Sequence, residues 1–131
     1  AFRVQYAPGE LTAVCTKAGE VVTDTLVTPG AAETLQATVW SEAQDEMQQI
    51  EVSLLDHSGR IAATDDRKLT CAVIGDMRLM GIENGCATDL TSYASETRPT
   101  WRGRAIVYVR KTGKGKALLS VPGLPPISVP L

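Results

Sequence analysis

The stretch GRAIVYVR, residues 103–110, is the strongest strand signal in the chain and decides the fold class. It is dominated by β-branched and aromatic residues, which are enriched in β-strands. Residues 49–56 (QIEVSLLD) alternate, with Ile50, Val52 and Leu54 on one face and Glu51 and Ser53 on the other. A strand that buries one face and exposes the other to water is typical of an antiparallel sheet.

Turn signals divide the chain after residue 33 into about seven short strands. Besides the two stretches above, strand patterns occupy residues 34–40, 69–75, 77–82, 116–121 and 127–129. Residues 41–47 and 83–102 are interpreted as polar loops, and residues 111–115 (KTGKG) as a hairpin turn. Short strands separated by turn signals every 8–12 residues or so predict an all-β fold, an antiparallel immunoglobulin-like β-sandwich.

A second unit precedes this pattern. Two β-rich runs, residues 11–16 and 21–27, flank a glycine-containing turn and predict a β-hairpin. The tripeptide TPG at residues 28–30 then interrupts the pattern, because proline lacks a ladder donor and glycine is conformationally permissive. We therefore place a boundary near Pro29.

The composition limits the classes of protein to consider. The chain has 131 residues, 44% hydrophobic and 21% charged, which describes one ordinary domain. It is too short for a (β/α)₈ barrel of roughly 250 residues, and it has no apolar run near the roughly 20 residues of a membrane-spanning helix. Thirteen basic against fifteen acidic residues leave no electrostatic signature of a nucleic-acid-binding protein.

The cysteines do not predict a metal site. Cys15, Cys71 and Cys86 are odd in number and widely spaced, and the chain has one histidine, so a tetrahedral zinc site is not predicted. Free buried thiols are the first interpretation, and one disulfide with a leftover thiol is the alternative. We expect no cofactor.

No residue is predicted to be catalytic. Hydrolysis of a glycosidic bond needs two carboxylates that face each other across the sugar. The adjacent pairs Asp45–Glu46 and Asp65–Asp66 fall in polar turns, and neighbours on a strand point to opposite faces. The single histidine, His57, also lies in what is predicted to be a tight turn.

The aromatic residues offer one candidate binding region. Trp40 and Tyr108 fall in predicted strands and are expected in the core. Candidates for glycan contact lie in or beside the loop at residues 83–102: they are Tyr93, Trp101, Asn84 and Arg98. A sugar ring stacks on an aromatic face while polar neighbours bind its hydroxyls. The alternative is that Trp101 only anchors the loop on the edge of the sandwich.

Several strings resemble a known family. VQYAPGELTAV at residues 4–14, followed by TPG at 28–30, is similar to the end of the Ig-like domain that follows the barrel in glycoside hydrolase family 2 enzymes of the bacterial β-galactosidase type. MGIENG at residues 80–85 and RGRAIVYVR at 102–110 resemble the further C-terminal Ig-like domain of those enzymes. Cys86 departs from the family pattern, which usually has aspartate there.

The resemblance implies two units. Residues 1–29 would be the terminal hairpin of a preceding Ig-like domain, and residues 30–131 a C-terminal Ig-like sandwich. The catalytic glutamates of the family lie in its barrel, so the resemblance implies a non-catalytic accessory module of a retaining glycosidase. That parent would hydrolyse glycosidic bonds in carbohydrate metabolism in a bacterial periplasm, in secreted form or at the cell surface.

The partners expected on this basis are the other domains of the parent and, through the loop, carbohydrate. The exposed hairpin is also expected to dock on the sandwich or to associate with a second copy. Two alternative functions are a carbohydrate-binding module that uses the loop at residues 83–102 and a cell-surface Ig-like interaction domain.

Overall fold

The computed structural model describes residues 3–131, which form eight β-strands and no helix. The strands are β1 (Glu10–Lys17), β2 (Glu20–Val27), β3 (Thr34–Val39), β4 (Met47–Leu55), β5 (Lys68–Glu83), β6 (Thr97–Pro99), β7 (Arg104–Ser120) and β8 (Ile127–Pro130). No helix in the described part of the chain is therefore available to cross a membrane. Ala1 and Phe2, which begin the predicted hairpin segment, lie outside the described residues.

Six strands form one antiparallel sheet in the order β3-β4-β7-β5-β6, with β8 paired to the far end of β7. The first part of β7 pairs with β4 and its last part pairs with β8, while β5 follows β7 for most of its length. The two long strands therefore run through both layers of a sandwich. The predicted antiparallel, immunoglobulin-like β-sandwich is confirmed, although two pairs of predicted strands are single long strands. The prediction of an uninterrupted loop at residues 83–102 is wrong, because β6 lies within it and pairs with β5.

The predicted hairpin turn at residues 111–115 is wrong, because β7 continues through it. Gly115 pairs there with Gly75, which has a φ of +101° and precedes a bulge in β5. A Cβ atom on Gly75 would lie 2.4 Å from the Lys114 carbonyl oxygen, and one on Gly115 would lie 2.3 Å from the Ile74 carbonyl oxygen. These glycines allow the two strands to approach closely where both bend from one layer into the other.

One apolar core lies between the layers. The predicted alternation in residues 49–56 is confirmed, since Ile50, Val52 and Leu54 on β4 are fully buried. They pack in one cluster with residues from both parts of β5 and β7. The other buried apolar members are Ala32, Leu35, Ala62, Leu69, Cys71, Ile82, Ala105, Val107, Val109, Ala117, Leu119 and Val121.

The β1–β2 hairpin contributes nothing to this core. Its two-residue turn has positive φ at both Ala18 (51°) and Gly19 (87°), the type I′ geometry that matches strand twist, and the predicted hairpin is confirmed. All sixteen residues of the two strands are exposed. The expectation that the hairpin docks on the sandwich is therefore wrong, because its apolar side chains face solvent on both sides.

The segment between hairpin and sandwich is fastened to the sandwich by carboxylates. The backbone N–H of Gly30 donates to the Asp56 carboxylate at 3.0 Å, and that of Ala32 donates to Asp65 at 2.8 Å. The Arg67 guanidinium donates to Asp65 at 2.7 Å and to the Ala32 carbonyl oxygen at 3.0 Å. Hydrogen bonds from Arg67, and then from Ala32, lower the pKa of Asp65 to about 2.

Candidate functional site

A cleft of about 580 Å³ lies on the outer face of the layer that contains β4. Its floor is a row across three neighbouring strands, because Ile106 on β7 is paired with Glu51 on β4 and with Glu83 on β5. Ile106 is 36% exposed between the two carboxylates. With an inter-strand spacing of about 4.8 Å, the backbones of the two glutamates lie about 10 Å apart.

Trp101 forms one wall of the cleft and is held by a tight turn. Trp101 and Arg104 exchange two backbone hydrogen bonds of 2.9 and 3.1 Å across Arg102 and Gly103, which both have positive φ. The N–H of Gly103 donates to the Asp66 carboxylate at 2.8 Å, which fixes the turn on the sandwich. The indole of Trp101 is 38% exposed, and the Arg102 guanidinium lies 4.6 Å from its ring centroid.

The Glu51 carboxylate is oriented by its neighbours. It accepts a hydrogen bond of 2.9 Å from the indole N–H of Trp40, and its other oxygen lies 3.9 Å from Nε of Arg104. Trp40 was expected in the core, and that prediction is wrong: it lies just after β3 and is 68% exposed. Its N–H finds a partner on the outer face of the sheet, which an apolar core would not offer.

The second carboxylate, Glu83, accepts a hydrogen bond from the hydroxyl of Tyr108 at 3.4 Å. Tyr108 was also expected in the core, and that prediction is wrong: it is half-buried on the same outer face of β7 as Ile106. Its partial burial, followed by the nearby Glu83 charge, raises the pKa of its hydroxyl. The phenol therefore stays protonated at neutral pH and acts as the donor. Both carboxylates keep oxygen lone pairs that are free for a ligand.

The predicted glycan contacts divide between two places. Trp101 and Asn84 line the cleft, whereas Tyr93 and Arg98 do not. The Asn84 amide group donates to the Asp89 carboxylate at 2.7 Å and to the Pro99 carbonyl oxygen at 2.9 Å, and its oxygen accepts the N–H of Cys86 at 2.9 Å. The polar side chain of Asn84 is thus occupied in holding the loop.

Arg98 lies inside the loop and is 2% exposed. Its guanidinium donates to the Thr91 carbonyl oxygen, lies 3.5 Å from an oxygen of Asp89 and stacks on the Tyr93 ring at 4.6 Å from its centroid. Hydrogen bonds from Thr91 and then from Asn84, together with the Arg98 charge, lower the pKa of Asp89. Tyr93 is mostly exposed above this network. Glycan binding by the loop stays a prediction.

The three thiols are free and occupy different environments. Cys71 is buried, and this burial raises the pKa of its thiol to about 11. Cys15 is exposed on the hairpin and Cys86 is partly exposed, so the prediction of buried thiols holds for Cys71 alone. Among residues 3–131, no three His, Cys, Asp or Glu side chains are grouped so that they could hold a metal ion.

Sequence reasoning missed the Glu51–Ile106–Glu83 row. The alternation of residues 49–56 did place Glu51 on an outward face, and that was the available signal. The sequence pattern does not give the register between strands. The strands β4, β7 and β5 are distant in sequence and become neighbours only in the sheet. The two flanking glutamates come together only in the folded sheet.

Known proteins resemble both units of the chain. Over 126 residues it is 25% identical to a β-galactosidase from Bacteroides ovatus, a match that covers 92% of this chain and 15% of that protein. A crystal structure of a glycosyl hydrolase family 2 member from Bacteroides cellulosilyticus superposes with a TM-score of 0.85 at 25% identity, over 99% of this chain and 19% of that one.

A β-glycosidase structure from Bacteroides vulgatus matches with a TM-score of 0.74 at 26% identity, over 98% of this chain and 18% of that one. The chain therefore spans less than a fifth of the length of these bacterial relatives. The family model described as glycoside hydrolase family 2 C-terminal domain 5 matches residues 33–125, which is nearly the whole sandwich. The chain belongs to the glycoside hydrolase family 2 C-terminal domain 5 family.

Proposed function

We propose that this chain is a non-catalytic accessory module of a larger family 2 glycosidase, and that its hairpin attaches it to the other domains of that protein. Residues 1–29 would complete a preceding Ig-like domain, and residues 30–131 would form the terminal sandwich. The parent would be a retaining, β-galactosidase-like enzyme of a bacterial periplasm or surface, or a secreted one, as the family resemblance implies.

The exposed hairpin is the observation that carries this proposal. A two-stranded hairpin without a packing partner is marginally stable at best in water. Here one face pairs Leu11 with Leu26 and Cys15 with Val22, and the opposite face carries Val14 and Val21. Apolar side chains on both faces indicate that this hairpin is built to be covered by another part of a larger protein.

The arrangement of the cleft supports a non-catalytic role. A glycosidase that retains configuration places its two carboxyl groups about 5–5.5 Å apart, and one of them must stay protonated as the acid. Glu51 and Glu83 lie instead on opposite sides of Ile106, with their backbones about 10 Å apart, and Glu51 is occupied by the Trp40 N–H and faces the Arg104 guanidinium. We therefore expect no hydrolysis of nitrophenyl galactoside by the purified chain; turnover that persists through repeated purification would contradict the proposal.

The attachment is tested in the parent protein. The coding region upstream should continue in frame into a barrel with paired glutamates, whereas tandem Ig-like repeats would favour a surface interaction domain. In the parent, we expect Val22→Glu to lower the temperature of thermal unfolding, because the charge would be buried against the neighbouring domain. Leu90→Glu is the matched control, since Leu90 is apolar and almost fully exposed on the sandwich.

The same substitution separates attachment from self-association. In the isolated chain, Val22→Glu should leave the unfolding midpoint unchanged, because Val22 faces solvent. If sedimentation equilibrium instead shows that the chain dimerises and that Val22→Glu makes it monomeric, a second copy covers the hairpin. A parent protein that tolerates Val22→Glu as well as it tolerates Leu90→Glu would contradict the attachment.

A further inference from the structure

We infer that the cleft bounded by Trp101 and by the Glu51–Ile106–Glu83 row binds a neutral pyranose sugar. This inference extends the proposed accessory role but does not depend on the hairpin attachment. Its volume of about 580 Å³ lies within the range of about 300–1,000 Å³ that is typical of small-molecule sites. The described residues that line it combine apolar surface with fixed polar groups, the two ingredients of such sites.

The charges of the cleft favour a neutral ligand. Glu51 and Glu83 contribute two negative charges, and Arg102 and Arg104 contribute two positive ones, so the lining is balanced. An anionic ligand would face the two carboxylates, and a cationic ligand would face the two guanidinium groups. A molecule with many hydroxyls and no charge can donate to the carboxylates and accept from the arginines without placing like charges together.

The shape of the cleft favours a ligand with one apolar face. Ile106 is partly exposed in the floor between the two carboxylates, and Trp101, also partly exposed, lines the same cleft. A pyranose has a face of C–H groups and a rim of hydroxyls. Its C–H face can cover Ile106 and the indole while the hydroxyl rim reaches the carboxylates on either side, so each part of the sugar meets a matching surface.

The carboxylates are oriented before any ligand arrives. Glu51 is held by the Trp40 indole N–H at 2.9 Å and Glu83 by the Tyr108 hydroxyl at 3.4 Å. Trp101 is fixed by a turn that Asp66 fastens to the sandwich. A site that is already arranged loses less side-chain entropy on binding, so more of the contact free energy remains as affinity.

The test is to titrate the whole chain with methyl β-galactoside and, separately, with anionic methyl β-glucuronide. Two-dimensional NMR of the amide and indole N–H groups monitors each titration. We expect saturable shifts at the Trp101 indole and the Ile106 amide with the galactoside, at millimolar affinity. We expect no tighter binding of the glucuronide. No saturable shift with the galactoside, or binding of the glucuronide alone, would overturn the inference.

Three variants locate the site. Trp101→Ala should weaken galactoside binding by about tenfold, and Glu83→Gln, which keeps the size of the side chain, by about fivefold. Tyr93→Ala tests the competing site on the loop, because Tyr93 is an exposed aromatic outside the cleft, and Tyr6→Ala, an exposed aromatic ahead of the hairpin, is the control. If folded Tyr93→Ala loses binding while Trp101→Ala and Glu83→Gln retain it, the loop is the site and the cleft is not.

Failure of this experiment and failure of the attachment are distinguishable. The attachment is tested by Val22→Glu on the hairpin, and Val22 does not line the cleft. The effect of Trp101→Ala on sugar binding says nothing about the hairpin. In the same way, the effect of Val22→Glu on the stability of the parent says nothing about sugar binding in the cleft.

Discussion

The hairpin and the sandwich of this chain have similar strand-forming sequences but differ in what holds them. In the sandwich, alternate residues of β4 are fully buried, whereas every residue of β1 and β2 is exposed. Both regions carry valines and leucines with strand patterns. The comparison teaches that strand propensity and turn chemistry specify a hairpin, while its stability depends on whether something covers its apolar side chains.

The largest expected difference comes from matched leucine substitutions. Leu54→Ala removes a fully buried side chain from the sandwich and should lower the free energy of unfolding by about 2–5 kcal/mol, because a cavity replaces lost contacts. Leu26→Ala on the exposed hairpin should lower it by less than about 0.5 kcal/mol. Urea unfolding of both variants checks this, and comparable losses would show that the hairpin is part of the cooperative core.

A second contrast uses two glycines with positive φ. Gly75→Ala should lower the free energy of unfolding by about 1–3 kcal/mol, because its Cβ would collide with the backbone of the facing strand as well as strain the bulge. Gly19→Ala has similar φ strain and open space around it, so it should weaken the hairpin turn and leave the unfolding midpoint of the sandwich unchanged. Thermal unfolding followed by circular dichroism distinguishes the two, and equal midpoint shifts would break the comparison.

A smaller loss of stability is expected from a substitution in the segment that joins the hairpin to the sandwich. Asp65→Asn loses the charged hydrogen bond to Arg67 and weakens the one from Ala32, so the free energy of unfolding at neutral pH should fall by about 1 kcal/mol. The pKa of Asp65 is lowered from 3.8 to about 2, so its stabilising effect is complete above about pH 4 and is lost as the pH falls toward 2.

The stability difference between wild type and Asp65→Asn should therefore narrow as the pH is lowered from about 4 to 2. Urea unfolding at a series of pH values measures it. A gap that stays constant through this range would show that the ionised carboxylate does not fasten the linker.

Short sequence patterns predicted the β1–β2 hairpin and the strand β4, which depend on residues close together in the chain. The hairpin was predictable because its turn is a two-residue type I′ turn with glycine, and β4 because burial on one face leaves a period of two in its residues. The pattern of residues 111–115 predicted a turn because it has two glycines, and glycine is typical of turns. In the folded chain Gly115 serves a contact with Gly75, forty residues away, which no local pattern records.

The candidate site was predictable in the same limited way. Trp101 was identified from its residue type and from its position beside a long loop, and it does line the cleft. Trp40 was assigned to the core because aromatics in strands are usually buried, but its indole N–H binds Glu51 outside. Placing Glu51 and Glu83 on either side of Ile106 requires the register of three strands that are not consecutive in sequence.

Native-state hydrogen exchange of the isolated chain, followed amide by amide, tests most directly the claim that the hairpin draws no stability from the sandwich. We predict that amides within residues 10–27 exchange with little protection, while those of Val52 and Val107 exchange only by global unfolding. Equal protection of both regions at every protein concentration would contradict the account, because the hairpin would then be held by the sandwich itself.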